Sequence, residues 1–358
     1  MRIGIDAREL CGHATGVGRY LDGLLREWNR TDAARRLEFV LYSPQPLRLS
    51  VDACLFRTRI VPGSPTTWWE QVRLPAAAAR DGLDLFFAPG YTAPLCLNVP
   101  TVAAIHDVSF AAHPEWFSTR EGVRRRWLTR RTALSARAVI TISEFSRSEL
   151  VERLGVSTSR IRVIPPGVSP GMPGALQRTD GLVLYVGTMF NRRHLPDLIR
   201  AFAPVARRHQ AASLHLVGDN RTFPREELPS IIAREELTGR VQWHQWVTDE
   251  ELRGLYASAR AFAFLSEYEG LGLTPLEALA AGVPPVLFDT PVARESCGDA
   301  ALYVSPGDVP GITHALERLL FDDPTRHLLL EAAPATLARY SWPRAARDTL
   351  AVLEESRQ

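Results

Sequence analysis

Two glutamates, Glu269 and Glu277, stand eight positions apart in SEYEGLGLTPLEALAAGVPPV (266–286), with Gly270 and Gly272 between them. A carboxylate can accept from two neighbouring hydroxyls, and glycines let a ligand approach the backbone. Gly270, Leu271, Gly272 and Leu273 would lay main-chain N–H groups beside the two acids at a helix start, a setting for a diol, a phosphate and a sugar together. Thr274 reads as the N-cap of that helix, Pro275 as its first residue, Glu277 as its third and Gly282 as its stop. Glu277 therefore has two readings. It closes a capping box with Thr274, or it binds a ribose-like diol, or it does both at once. Glu269 has no capping partner and is either an exposed loop acid or a ligand contact.

A second constellation is GTMFNRRH (187–194). Gly187 frees a turn, and Arg192 and Arg193 stand where a helix begins, so two guanidiniums and the helix N-terminus suit a pyrophosphate. The alternative is a solvated surface pair. The chain contains no lysine, so all 42 basic residues are arginine, and arginine by itself carries little functional information here. In TGVGRY (15–20), Gly16 and Gly18 admit a phosphate or sugar, or simply make a tight turn; Leu21 replaces the third glycine of a dinucleotide fingerprint. In IHDVSF (105–110), His106 either meets a sugar hydroxyl and moves a proton or forms a structural turn with Asp107. No metal is expected: the nine histidines lack ligand spacing, and no Asp-x-Asp occurs.

These residues need elements to position them. Apolar runs at 2–6, 37–43, 83–89, 101–106 and 138–143 read as buried strands, and helical stretches separate most of them. A Pro/Gly-rich segment at 165–181 reads as a linker. The alternation then restarts, with strands at 182–187, 213–218, 240–246, 261–266, 284–289 and 301–305 and helices at 195–209 and 249–258. The expected fold is α/β, with two doubly wound Rossmann-like domains, 1–170 and 171–342, facing across a cleft, and a last helix at 343–358 returning to the first domain. A net charge of +2 argues against nucleic-acid binding. There is no apolar run long enough to span a bilayer and no signal-peptide core, and Cys11, Cys54, Cys96 and Cys297 are scattered, so a cytoplasmic protein is expected.

Arg-rich 120–138 reads as a basic amphipathic helix with Val123, Trp127, Leu134 and Ala138 on one face. It either packs with a solvated arginine face or touches anionic lipid headgroups at the inner face of a membrane. Trp68 and Trp69 are either core or apolar contacts near an acceptor.

In this order, GIDARE, TGVGRY, TVAAIHDVSF, ITISEFSRSEL, IPPGV, LYVGTMFNRRHLPDLIRAF and the two-glutamate segment resemble the retaining family 4 glycosyltransferases, which have the GT-B fold. The resemblance covers nearly the whole chain and leans toward mannosyltransferase-like enzymes of cell-surface polysaccharide assembly. It implies transfer of a hexose, mannose favoured, from a GDP or UDP sugar to a saccharide or lipid-linked saccharide, without a metal or other cofactor. It places Glu269, His106 and Arg193 about the reacting sugar and Glu277 on the ribose. Arg192 and Arg193 would hold the diphosphate, with Arg193 where the family typically has lysine. Backbone at Val247 would meet the base, although Gln245 replaces a frequent glycine there, and Arg221 would also reach the nucleotide. The rival readings are a dehydrogenase, a GT-B-type sugar-nucleotide epimerase and a non-catalytic sugar-nucleotide-binding protein.

Overall fold

The computed structural model describes residues 1–12, 16–47, 49, 51–169 and 180–357. Thr15 of the TGVGRY segment and most of the expected linker lie outside the described residues. The chain forms two units, one of Met1–Gly167 with Tyr340–Gln358, the other of Val168–Arg339.

The first unit holds strands β1 (Arg2–Asp6), β2 (Glu38–Ser43), β3 (Phe56–Ile60), β4 (Leu85–Ala88), β5 (Thr101–Ala104), β6 (Ala138–Thr141) and β7 (Ile161–Val163). They make a parallel sheet in the order β3-β2-β1-β4-β5-β6-β7. Alternate side chains feed two cores, as a pleated strand requires. Phe39 and Leu41 join Ile3, Ile5 and Phe87 on one face; Val40 and Tyr42 join Phe86 and Ala88 on the other. The edge strands β3 and β7 escape an apolar-run reading. Arg57 and Arg59 in β3 and Arg162 in β7 put charge on strands that need burial only in part.

The helix Gly16–Arg30 follows β1 and buries Tyr20, Leu21, Leu24, Leu25 and Trp28 along one stripe. The final helix, Trp342–Glu355, packs on it. Trp28 Nε1 donates to the Ala346 carbonyl at 2.9 Å. Trp342 fills the space beside Gly23, where any Cβ would lie 2.5 Å from its ring.

The second unit holds β8 (Leu182–Val186), β9 (Ser213–Val217), β10 (Val241–His244), β11 (Ala261–Phe264), β12 (Pro285–Phe288) and β13 (Leu302–Val304). Its sheet is also parallel, in the order β10-β9-β8-β11-β12-β13. Both sheets are doubly wound, and with the structural likenesses given below they establish an α/β GT-B fold. In such a sheet strand order reverses at one place, and the loops leaving the two central strands part to opposite faces. The crevice between them is the natural ligand position. In the second unit that point lies between β8 and β11, in the first between β1 and β4.

Two sequence expectations about local structure are corrected. The turn after β1 does not extend to Gly16 and Gly18: Gly16 already opens the Gly16–Arg30 helix and Gly18 is buried in its first turn. The basic helix runs Thr119–Ser135, so Ala138 leaves its apolar face and becomes the buried first residue of β6. The chain needs an extended residue there to begin a central strand.

Candidate functional site

The switch point of the second unit brings Arg193 to Glu269 across 76 residues of sequence. Arg193 Nε and Nη2 each lie 3.0 Å from Glu269 Oε1. Ser266 Oγ donates to the same oxygen at 2.8 Å, which leaves Oε2 as the carboxylate oxygen for a ligand among the described residues. Arg193 Nη1 donates to the Thr188 carbonyl at 2.7 Å, and its guanidinium centre lies 4.7 Å from the Phe264 ring centroid. Gly187 makes this possible. Its φ of +148° is open to glycine alone, and a Cβ there would fall 2.4 Å from Arg193 Nη1. Burial opposes the charge of Arg193 most strongly, but the Glu269 carboxylate and the Tyr185 hydroxyl together outweigh it and hold the guanidinium pKa above its ordinary value. Tyr185, buried beside it, keeps its proton because burial raises the phenol pKa.

Arg192 occupies the same turn, Asn191–Arg193, which precedes the helix Leu195–Arg208. Its Nε donates to the Tyr268 carbonyl at 3.2 Å and its carbonyl accepts from Glu267 N at 3.0 Å, so the loops after β8 and β11 are laced together. The sequence expectation that both arginines stand at a helix entrance holds for position. Arg193 is nonetheless no solvated surface group, since its side chain is only 12% exposed.

The helix carrying Glu277 is Leu273–Ala280, and here the capping reading is overturned. Gly272, at φ +85°, is the N-cap, and no side chain caps the helix. Glycine's freedom in the left-handed region lets the helix begin one residue before Thr274. Thr274 becomes the second helical residue and Glu277 the fifth, beyond the reach of a capping box. A true capping box occurs at Thr248 and Glu251, at the start of Asp249–Ser258. Glu277 instead accepts from Tyr256 Oη at 3.5 Å and is half-buried. Gly270 and Leu271 are buried in the same loop, and Val247 lies in the connection after β10. Arg221, by contrast, is exposed and pairs with Asp219 at 2.9 Å.

In the first unit His106 follows β5 and is buried, with Tyr20 and Tyr91 edge-on to its ring at 4.8 and 5.6 Å. Its Nε2 lies 2.8 Å from the Pro89 carbonyl, an oxygen that only accepts, so Nε2 carries the proton and Nδ1 is the acceptor nitrogen. Burial lowers its pKa, which favours the neutral ring. Asp107 does form a local turn, accepting from Ser109 N at 2.8 Å and from Tyr91 Oη at 2.6 Å.

The family model for glycosyltransferase family 4 matches residues 14–171, and that for glycosyl transferases group 1 matches 173–336. O-antigen chain mannosyltransferase B of Escherichia coli is 30% identical over 293 residues, covering 78% of this chain and 76% of that protein. This chain belongs to glycosyltransferase family 4. Within that family, the GDP-mannose:cellobiosyl-diphosphopolyprenol alpha-mannosyltransferase of Xanthomonas oryzae pv. oryzae is 28% identical over 267 residues, covering 73% and 69% of the two chains. The structure of sucrose-phosphate synthase from Thermosynechococcus elongatus superimposes with a TM-score of 0.81 at 19% identity, covering 99% of this chain and 98% of that one.

One cluster of this family 4 glycosyltransferase has no counterpart among the residues singled out from sequence. At the switch point of the first unit, Arg8 Nη2 lies 2.7 Å from Asp6 Oδ2 and 2.5 Å from Glu70 Oε1, and Thr92 Oγ1 donates to Glu70 at 2.5 Å. The signal available was Asp6-x-Arg8 at the end of a strand; the partner Glu70, 62 residues away, had none. Burial pushes the Asp6 carboxyl up to about 6 against the pull of Arg8, and Glu70 adds to the push. A carboxyl that binds its proton more tightly folded than unfolded stabilises the fold below its unfolded value of 3.8. That contribution is lost as pH rises through about 6. Asp6→Asn should therefore flatten the fall in unfolding free energy between pH of about 4 and 7. Urea titrations across that range check it; an Asn variant with the wild-type pH profile contradicts it.

Proposed function

We propose that this glycosyltransferase moves a hexose, mannose favoured, from a nucleoside diphosphate sugar to an acceptor hydroxyl with retention at the anomeric carbon. GDP is the favoured nucleotide and UDP the alternative. The observation that carries the reading is Arg193, fixed beside Glu269 in the crevice between β8 and β11. A preorganised cation costs no reorganisation as charge develops on a leaving diphosphate, and it acts most strongly away from bulk water. Arg192 adds a second guanidinium. Glu269 Oε2 takes a hydroxyl of the transferred sugar and Glu277 the ribose diol, while the main chain from Gly270 to Leu273 and at Gly187 and Val247 lines the donor. In the first unit, Gly16 and Gly18 present the start of a helix, and His106 offers Nδ1 to a sugar hydroxyl.

In the proposed step the bond from the anomeric carbon to the diphosphate oxygen breaks, and the bond to the acceptor oxygen forms on the same face. The acceptor proton passes to the departing phosphate oxygen. The mechanism asks for no metal, because the arginines and a helix start supply the positive potential. The acceptor is a saccharide or lipid-linked saccharide, met at the cytoplasmic face of a membrane during polysaccharide or glycolipid assembly. The named relatives support this reading, one acting in O-antigen chains and one on a diphosphopolyprenol.

Proton NMR of GDP-α-mannose turnover tests the stereochemistry. The first mannose product, from transfer to an acceptor or slowly to water, is expected to be the α-anomer. A β-anomer appearing first contradicts retention. Inversion at another ring carbon with the nucleotide still attached would mark an epimerase, and a bound but unchanged donor a binding protein.

A further inference from the structure

The helix Thr119–Ser135 turns Gly122, Leu128, Thr129, Thr132 and Ala133 to the core. Its opposite side is not purely polar. Val123 is 55% exposed and Trp127 57% exposed, with Leu134 in line two turns on. The helix carries six arginines and a single glutamate, and the arginines fall on both sides of that apolar strip. Arg124 Nη1 donates at 2.5 Å to Thr67 Oγ1, which sets Trp68, 65% exposed, beside the same surface. Trp69, its neighbour, is core and donates to the Val61 carbonyl at 2.6 Å. The tryptophan pair therefore divides, one anchoring the fold and one facing outward.

We infer that this face, with Trp68, Val123 and Trp127 at its centre, docks on an anionic bilayer surface. Tryptophan favours the headgroup boundary, where its ring is buried and its N–H stays wet. Arginines on both flanks complement anionic phosphates, and their aliphatic stems can lie against lipid. A stable protein partner would need roughly 20–30 residues a side, with a charge-depleted centre, whereas this strip is narrow and set among like charges. No helix among the described residues is long and apolar enough to cross a membrane, so this contact is peripheral. The inference rests on the reading of an acceptor met at a membrane and names the surface that meets it.

The test is co-sedimentation of the whole chain with vesicles of phosphatidylcholine, with and without phosphatidylglycerol. Wild type is expected to pellet with the anionic vesicles, less so at high salt, and hardly with neutral ones. Trp68→Ala/Trp127→Ala should weaken anionic binding at least about tenfold. Arg126→Glu/Arg131→Glu, which leaves the apolar strip whole, should do the same, while Leu328→Ala, an exposed apolar site in the second unit, binds as wild type. Equal binding to both vesicle types, none to either, or undiminished binding by both double variants overturns the inference. So does a change of oligomeric state in the tryptophan variant by light scattering, which would assign the face to a second copy. Calorimetric titration of the same preparations with GDP-mannose and with UDP and ADP sugars separates the readings: donor binding that persists without lipid binding removes only the surface, and absent binding of every donor removes the proposed donor site.

Discussion

Arg193→Met is expected to reduce kcat/KM for the donor roughly 10²–10³-fold, the usual loss when one fixed charge-stabilising donor is removed. Methionine keeps most of the length and no charge. The loss should fall mainly on kcat if Arg193 acts as charge develops on the diphosphate, and on both parameters if it holds the ground state equally. Arg193→Lys separates charge from shape. Lysine restores the cation, but its single ammonium cannot span Glu269 Oε1 and the Thr188 carbonyl as the guanidinium fork does. It is expected to recover part of the activity and remain about tenfold below wild type. The pocket is cut for arginine, since Gly187 yields its Cβ position to Nη1. Full activity in Arg193→Met would remove the argument from this side chain.

Glu269→Gln should be nearly as costly for a different reason. The amide keeps the size of the carboxylate and can still accept from Ser266 Oγ. It loses the charge opposite Arg193, and a poorly exposed guanidinium without its counter-ion is expensive to keep in place. A fall in kcat of about 10²-fold is expected, with a melting temperature lowered as well. Donor binding should persist, because the proposed contacts of Arg192 and Glu277 with the nucleotide remain. Steady-state kinetics beside thermal melts check this. A variant with lower stability and unchanged kcat would make Glu269 a purely structural partner of Arg193.

The strands of both sheets were legible because parallel strands buried on two faces read as apolar runs such as LDLFFAP and AFAFLS. The edges of the first sheet were not, because β3 sets Arg57 and Arg59 on either side of Thr58 and β7 is a short strand with Arg162 at its centre. Trp68 and Trp69 look alike in sequence, and only packing separates them. The opening pair, Glu269 and Glu277, was visible through its glycines, but its local geometry was misread. Whether a helix begins at Leu273 or after Thr274 depends on Gly272 adopting φ +85°, which no spacing rule decides. The link from Arg193 to Glu269, and that from Arg8 to Glu70, depends on which strands lie at the switch point of each sheet, a property of topology.

The most direct measurement is calorimetric titration of GDP-mannose, with UDP and ADP sugars alongside, into wild type, Arg193→Met and Glu277→Ala. The account predicts saturable binding of one nucleoside diphosphate sugar to wild type. Glu277→Ala should weaken it by about 1–3 kcal/mol through loss of the diol contact. Arg193→Met should weaken it through loss of the diphosphate contact. Failure of wild type to bind any of these donors, or equal affinity in all three proteins, would contradict the donor site.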